Sequence, residues 1–311
     1  MHPDLDPPRI MLEDQSLRDG LQLESRLLSL EEKLRVFELL KHAGVPRIQA
    51  GSFVHPRLVP QTADTDDLIR AIGRQEETIV SALVLNGKGL ERALACGVRH
   101  LGMSVSVSDT HSRKNTGRPA AEALESMTGL IREALASGVE VTAGLQCAFG
   151  CVYEGPIAVD AVLAAAEKMA GTGVREISLA DTTGMASPIA VREMVRRINR
   201  TLPEIRVGLH LHDTRGLGLA NLFAGYEAGI RTFDTCAGGL GGCPFVKGAA
   251  GNVPTEDAVH LFESMGVQTG IDLTALCKTV SFLESVLERR LPGRVCQAIS
   301  FHRGPCGSIR E

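Results

Sequence analysis

The chain has few aromatic residues and no long apolar run. Of its 311 residues only 4% are aromatic, and tryptophan is absent. We therefore expect a core built mainly from leucine, valine, isoleucine and alanine. No stretch approaches the roughly 20 apolar residues that a membrane-spanning helix needs, and the polar, proline-containing start lacks the apolar segment of a secretory signal peptide. These absences argue against a membrane partner and favour a cytoplasmic location.

The chain also lacks a strong excess of charge of either sign. Its net charge is −4, and its basic residues form no long tract. A nucleic-acid partner is therefore not expected, since such partners call for a basic face. A hydrophobic content of 44% and a charged content of 23% are ordinary for a globular protein, and the length suits one large α/β domain or two small ones.

Cysteine is present, with eight residues, but in no pattern typical of structural zinc. Cys147 and Cys151 lie four residues apart, and no second pair follows at a suitable spacing. Small packing side chains are the favoured interpretation of this pair. Because a cytoplasmic location implies a reducing environment, the thiols are expected to be free.

Short β-rich runs alternate with longer segments in which apolar residues recur every three or four positions. Two of the helical segments carry start signals: Ser29 with Glu32 forms a capping-box pattern, and Ser187 precedes a proline suited to a first helical turn. Helices are expected over ranges that include 29–44, 120–138 and 157–173. Eight strands are expected, over 10–12, 47–53, 79–85, 100–107, 140–148, 176–181, 207–212 and 232–238.

A glycine followed by a β-branched residue recurs where a helix gives way to the next strand. Such a glycine supplies the positive φ that ends many helices, and the positions are Gly44, Gly97, Gly138, Gly173 and Gly229. Eight repeated units predict an α/β fold of the (β/α)8 TIM-barrel type. A doubly wound open sheet is the alternative, but "LRDGLQ" is not the glycine-rich turn that such a sheet usually carries after its first strand.

Two regions are expected along the chain. Residues 1–265 are assigned to the TIM-barrel catalytic domain, and residues 266–311 to a C-terminal helical and irregular extension packed on the barrel. Within the extension, 271–291 has the pattern of one long amphipathic helix, and the glycine-containing tail after it is expected to be irregular.

Chemically versatile side chains fall at the carboxyl ends of the expected strands, where TIM barrels carry their active sites. In "GLHLHDTRG" the two histidines His210 and His212 lie two residues apart, so in a strand both point to one side. A shared metal ion satisfies two such imidazoles at once and is favoured over two core histidines. Two other residues have structural alternatives: Asp181 as a helix cap, and Arg18 as the partner of a simple ion pair with Asp19.

Five motifs together carry a resemblance to a known family. In chain order they are "LRDGLQ", "SFVHPRLVPQ", "SLADTTG", "HLHDTRGLGLAN" and "GLGGCPFVKGAAGN". This series resembles the 3-hydroxy-3-methylglutaryl-CoA lyases, members of the DRE-TIM metallolyase superfamily of TIM-barrel lyases and synthases. The similarity runs from about residue 9 to 290. It implies an acyl-CoA substrate and a retro-Claisen carbon–carbon cleavage that yields an acyl-CoA and a ketone or keto acid.

The resemblance also implies residue roles. The metal ligands would be Asp19, His210, His212 and Asn252; this set of nitrogen and oxygen donors suits Mg²⁺ or Mn²⁺ first, with Zn²⁺ and Co²⁺ as alternatives. Two of these ligands, Asp19 and His210, would also be catalytic groups. The other catalytic groups would be Arg18 and, on a glycine-rich loop, Cys243. The substrate would be contacted by Arg18, Gln22, Gln49, Ser52, Ser178 and Thr182.

The sequence departs from the family pattern near the expected acyl group. Gln49 stands where the family usually has a glutamate, and Leu23 replaces an asparagine. These changes suggest a different 3-hydroxyacyl-CoA, with a less polar acyl branch beside Leu23. The alternatives are a related Claisen-type synthase, a 2-oxo-acid aldolase, or a binding protein without turnover. A homodimer is expected by analogy with other barrels.

The contacts with coenzyme A are less defined by the sequence. The segment "SVSDTHSRKNTG" follows the fourth expected strand and contains four side chains that could meet phosphates: His111, Arg113, Lys114 and Asn115. A solvated loop without ligand contacts is the alternative for this segment.

Overall fold

Eight parallel strands form a closed barrel in which each strand pairs with its neighbours in chain order, and the eighth pairs with the first. The computed structural model describes residues 8–242 and 251–302. The predicted TIM barrel is confirmed, and each of the eight expected runs overlaps one strand. The strands are β1 (Met11–Asp14), β2 (Arg47–Ser52), β3 (Ile79–Leu83), β4 (His100–Ser106), β5 (Glu140–Gln146), β6 (Glu176–Ala180), β7 (Arg206–His210) and β8 (Thr232–Thr235).

Helices connect the strands and cover the barrel, and further helices follow β8. Four of them lie where the sequence pattern predicted helices, over 29–44, 120–138, 157–173 and 271–291. In the described ranges they are α1 (Leu30–His42), α2 (Thr65–Ile72), α3 (Gly87–Ala95), α4 (Asp109–Thr116), α5 (Ala120–Ala136), α6 (Val159–Ala170), α7 (Pro188–Thr201), α8 (Gly218–Glu227), α9 (Thr255–Ser264), α10 (Leu273–Leu287) and α11 (Val295–His302).

The local sequence signals for the starts and ends of helices act as expected. Ser29 and Glu32 form a complete capping box at the start of α1, and Ser187 caps α7 ahead of the proline in its first turn. The five junction glycines all have positive φ, between +77° and +104°, a region that strains residues with a side chain. The helix-to-strand turns are thus encoded locally and repeat around the barrel.

A buried ion-pair layer fills the barrel interior below the strand ends. Nε of Arg47 on β2 lies 2.6 Å from a carboxylate oxygen of Glu13 on β1, and Nη2 donates to Glu176 on β6 at 2.8 Å. Burial opposes the charge of the guanidinium, but the two carboxylates raise the pKa of Arg47 above its usual value. Removing one member would leave a buried charge without its partner, which is costly.

The C-terminal region differs from expectation in two ways. The tail predicted to be irregular contains α11, because the carboxylate of Asp257 accepts hydrogen bonds from the backbone N–H groups of Arg294 and Val295 at its start. The expectation of free thiols is wrong for one pair: a disulfide joins Cys277 on α10 to Cys296 on α11, with their Cα atoms 5.4 Å apart. The bridge fixes α11 to its neighbouring helix.

Several C-terminal side chains belong to the same hydrophobic core as the barrel, among them Leu276, Leu283 and Leu291. The division into 1–265 and 266–311 stays a prediction. No helix in the described part of the chain combines the length and apolar composition needed to cross a lipid bilayer.

Candidate active site

The first part of the site is a turn of π-helix directly after β1, at Ser16–Gly20. Such turns insert an extra residue into helical geometry and often occur at functional sites. Here the turn places Arg18 and Asp19 side by side at the carboxyl end of the barrel, where the guanidinium forms an ion pair with the carboxylate. The ion-pair interpretation of these two residues is thus correct in geometry, and the pair faces the site.

The two histidines meet at the same place. His210 is the last residue of β7, and His212 follows in a short bridge to the segment that contains Asn252. Their Nε2 atoms lie only 3.1 Å apart, and both are close to Oδ2 of Asp19, at 3.9 Å from His210 and 3.6 Å from His212. The shared orientation expected from the i, i+2 spacing brings the imidazoles together.

Asn252 reaches the same point from the other side. Its Nδ2 donates to Oδ2 of Asp19 at 2.8 Å and to the backbone carbonyl of Leu240 at 3.2 Å. Its Oδ1 is buried without a hydrogen-bond partner, which is costly for an amide oxygen. Four side chains from three separate strand ends therefore converge around one small volume.

This arrangement fits a divalent cation. Ligand atoms of Asp19, His210 and His212 all lie within 4.8 Å of one another, and two imidazole nitrogens that face each other at 3.1 Å are a donor set typical of metal sites. Asn252 would add a fourth ligand if its amide turned over, because Nδ2 and not the unsatisfied Oδ1 faces Asp19. The four predicted ligands thus lie together, with the chemistry that Mg²⁺, Mn²⁺ and related ions require.

A further carboxylate supports one histidine from behind. Oδ2 of Asp234, on β8, lies 3.3 Å from Nδ1 of His210. An acceptor at Nδ1 favours the tautomer with the proton on that atom, and Nε2 is then free to bind a metal. Sequence reasoning missed Asp234, although a strand alignment could have found it, because Asp234 pairs with His210 in the register of β7 and β8.

The local charges shift two pKa values. Burial acts to raise the pKa of Asp19, but Arg18 and the two histidines outweigh it and hold that pKa well below its usual value. For His210, burial acts to lower the pKa, and the hydrogen bond and charge of Asp234, together with the charge of Asp19, raise it overall. The site therefore favours an ionised carboxylate at Asp19.

The guanidinium of Arg18 is held by three acceptors. It donates from Nε to Oε1 of Gln49, from Nη1 to Asp19 and from Nη2 to Oε1 of Gln15. Gln15 precedes the π-turn and was not expected to take part. With its nitrogen atoms engaged in this way, Arg18 has a single fixed position at the edge of the cation site.

A cavity of about 440 Å³ opens above these groups and extends into the barrel. The five other predicted substrate contacts all line it, as does Leu23, whose side chain is half-exposed at the rim. Cys243 lies outside the described residues. The predicted contacts brought together on the cavity wall are Gln22, Gln49, Ser52, Ser178 and Thr182.

The segment expected as a possible phosphate-binding loop is the helix α4. Two of its four candidate side chains, His111 and Asn115, line the cavity. Arg113 instead pairs with Asp109 on the same helix, and the ammonium of Lys114 lies 4.9 Å from the ring centre of Tyr153. The cavity thus extends to α4. The two cationic side chains of this helix, Arg113 and Lys114, contact Asp109 and Tyr153.

Asp181 does not join the cation site. Its carboxylate accepts hydrogen bonds from the backbone N–H groups of Met185 and Ala186, so it stabilises the loop before α7 instead of capping that helix.

Cys147 and Cys151 are both free and buried. Cys147 has φ of +58°, an uncommon value outside glycine, and its N–H donates to Oγ1 of Thr182 at 2.9 Å.

Comparison with known proteins places the chain in a family. The HMGL-like family model matches residues 9–283. The chain is 41% identical over 299 residues to the (R)-citramalyl-CoA lyase of Chloroflexus aurantiacus, covering 93% of this chain and 94% of that protein. It is 35% identical over 291 residues to the hydroxymethylglutaryl-CoA lyase of Bacillus subtilis, covering 94% and 97%.

Solved structures show the same relationship. The HMG-CoA lyase of Acinetobacter baumannii, in complex with coenzyme A and 3-methylmalate, superposes with a TM-score of 0.89 at 36% identity. The superposition covers 97% of this chain and 98% of that one. The likeness therefore extends over the whole barrel and the C-terminal helices.

Proposed function

This chain belongs to the HMGL-like family, an acyl-CoA lyase family, and on that premise we propose that it cleaves a branched 3-hydroxyacyl-CoA with a terminal carboxylate. The relatives named for 3-hydroxy-3-methylglutaryl-CoA and for (R)-citramalyl-CoA support this substrate class. Both thioesters carry a tertiary hydroxyl at carbon 3 and differ by one methylene group beside the carboxylate. The observation that carries the proposal is the convergence of Asp19, His210, His212 and Asn252 on one point at the cavity wall.

The proposed reaction is a retro-Claisen cleavage. The proton of the tertiary hydroxyl passes to Asp19, since Nδ1 of His210 faces Asp234 and its Nε2 would hold the ion. The electron pair left on oxygen forms the new carbonyl. The bond between carbons 2 and 3 breaks, and its electrons move into the thioester as an enolate. Protonation of carbon 2 then gives acetyl-CoA, and the other product is a keto acid. Cys243 is proposed to deliver that proton.

The residues around the reacting atoms have separate tasks. Asp19, His210, His212 and Asn252 would hold Mg²⁺ or Mn²⁺, with Zn²⁺ and Co²⁺ as alternatives. When bound, such an ion supplies Lewis-acid stabilisation of negative charge on oxygen. The guanidinium of Arg18 can stabilise negative charge on oxygen as it develops.

The cavity wall is proposed to select the substrate. Gln22, Ser52, Ser178 and Thr182 offer polar contacts to the carboxylate and hydroxyl of the acyl group, and Gln49 acts on the substrate through Arg18. The half-exposed Leu23 at the rim favours a less polar branch on the side that it faces. The homodimer and the cytoplasmic location expected from the sequence stay predictions.

A substrate panel tests the proposal. Protein loaded with Mg²⁺ or Mn²⁺ is incubated with 3-hydroxy-3-methylglutaryl-CoA, with both enantiomers of citramalyl-CoA and with 3-hydroxyacyl-CoA thioesters that lack the carboxylate, and the products are identified by mass. We expect acetyl-CoA and a keto acid from at least one carboxylated thioester. The Arg18→Gln variant should lose about 100-fold in kcat, while Arg35→Gln, an exposed arginine changed in the same way, should retain full activity. Absence of cleavage across the panel would overturn the proposal.

A further inference from the structure

Gln49 connects the cation site to the buried ion-pair layer of the barrel. On one side its Oε1 accepts from Nε of Arg18. On the other side its Nε2 donates to Oε1 of Glu13 at 3.4 Å. Both Gln49 and Glu13 are almost fully buried, at 4% and 3% exposure, so water does not compete for these contacts. The amide therefore has one orientation, with oxygen toward the guanidinium and nitrogen toward the carboxylate.

Every described neighbour within bonding distance of the Glu13 carboxylate is a donor. Oε1 accepts from the hydroxyl of Ser81 at 2.5 Å as well as from Gln49, and Oε2 lies 2.6 Å from Nε of Arg47. An ionised carboxylate can only accept. A glutamate at position 49, as the family resemblance led us to expect, would face Glu13 with a second acceptor. The glutamine is thus matched to Glu13.

The neighbouring strand leaves room for this amide. A Cβ atom built on Gly102 of β4 would approach Nε2 of Gln49 to 3.1 Å, closer than an ordinary contact. The absence of a side chain at Gly102 therefore allows the amide to take the position between Arg18 and Glu13. Three elements, β1, β2 and β4, together define the place of one hydrogen-bonding group.

We infer that Glu13 is a positioning residue that orients the Gln49 amide and, through it, holds the Arg18 guanidinium in its working position. The inference rests on the proposed function in one respect, that Arg18 acts on the substrate. It explains the glutamine at position 49 as the donor that the Glu13 carboxylate requires: the carboxylate lies on β1 and the amide on β2. The reverse arrangement, with a glutamine at position 13 and a glutamate at position 49, should hold Arg18 equally well.

The exchange is chemically feasible in this surrounding. A glutamine at position 13 can direct its nitrogen toward a glutamate at position 49 and its oxygen toward Arg47. Ser81 can then accept from the new amide, because its hydroxyl lies within 3.5 Å of the backbone carbonyl of Ile48 and can donate there instead. Arg47 keeps its hydrogen bond to Glu176.

The test is a double-mutant cycle of wild type, Gln49→Glu, Glu13→Gln and the exchanged pair E13Q/Q49E. With the thioester that the wild type cleaves, each single variant should lose about tenfold in kcat, with a smaller change in KM. The exchanged pair should recover to within about threefold of wild type. Exposed residues provide the matched controls, Gln268→Glu and Glu91→Gln, which should both retain wild-type kcat.

Two further measurements separate positioning from general damage. Mn²⁺ affinity should be unchanged in Gln49→Glu, since the hydrogen bonds of Gln49 are to Arg18 and Glu13 and not to a metal ligand. The free energy of unfolding, measured for all four proteins, should show the same coupling as kcat. This second cycle needs no substrate. If the wild type cleaved no thioester, the proposed function would be wrong, but the unfolding free energies would still test whether Glu13 and Gln49 act together.

Additive behaviour would overturn the inference. If the kcat losses of the single variants multiply in the exchanged pair, or if the unfolding free energies add, Glu13 and Gln49 do not act together. Should Glu13→Gln alone fail to fold, the comparison of Gln49→Glu with the exchanged pair is sufficient. The inference then requires the pair to be the more active and the more stable of the two.

Discussion

Asp234 lies behind His210, with its Oδ2 atom 3.3 Å from Nδ1 of the imidazole, while Nε2 of the same ring faces His212 at 3.1 Å. The two residues are directly paired across β7 and β8, so the backbone itself sets their separation. The carboxylate thereby fixes which ring nitrogen is available on the side where Asp19 and Asn252 converge.

Replacing Asp234 should weaken metal binding without removing a ligand. Asp234→Asn takes away the charge that favours a proton on Nδ1, and such supporting partners typically contribute 10- to 100-fold in affinity, so we expect about a tenfold weaker Kd for Mn²⁺. Calorimetric titration measures the change. Asp67→Asn, an exposed aspartate on α2, is the matched control and should bind as the wild type does. Equal affinity in both variants would show that Asp234 does not orient His210.

Glu256 on α9 should make the protein less stable as the pH rises. Burial raises the pKa of this carboxyl to about 8, from an ordinary value of 4.5, although it accepts from the N–H of Gly238. Between these two pH values the unfolded chain releases the proton and the folded chain keeps it, so stability falls across that window and levels off above it.

The variant Glu256→Gln should therefore gain stability relative to wild type as the pH increases. Its Tm is compared with that of the wild type at pH 5 and at pH 8.5, and the difference between the two proteins should grow at the higher pH. The exposed Glu167→Gln serves as the control and should show a constant difference. A constant offset for Glu256→Gln as well would mean that Glu256 ionises normally in the fold.

The disulfide between Cys277 and Cys296 should stabilise the C-terminal helices. It closes a loop with a sequence separation of 19, for which the chain-entropy model gives about 3 kcal/mol. Reduction by dithiothreitol should lower the free energy of unfolding of the wild type by about that amount. The double variant C277S/C296S should resemble the reduced protein and should not respond to the reductant. An equal response in both proteins would assign the effect to other cysteines.

The fold could be predicted from the sequence because its signals are local and repeated. Each junction glycine, such as Gly44 or Gly138, needs only its own turn to be recognised, and eight units in series leave few architectures. The helix α11 could not be predicted in this way. Its start depends on Asp257, a residue 37 positions before Arg294, and no local pattern reports such a contact.

The candidate site was predictable where spacing fixes geometry and less so where side chains from distant strands meet. His210 and His212 follow from alternation along one strand. The roles of Glu13 and Gln15 depend on which atoms surround Arg18, and that is set by the closure of the barrel. Gln49 was identified as a departure from the family pattern, but its partner Glu13 lies 36 residues away on another strand.

The proposed function depends most on a single cation held by Asp19, His210, His212 and Asn252. Titration of the metal-free protein with Mn²⁺, monitored by electron paramagnetic resonance, tests for this bound cation directly. We predict one bound ion per chain in the wild type, the same in His42→Ala, which removes an exposed histidine, and loss of that binding in His212→Ala. Binding of Mn²⁺ by His212→Ala with the wild-type affinity and stoichiometry would contradict the account.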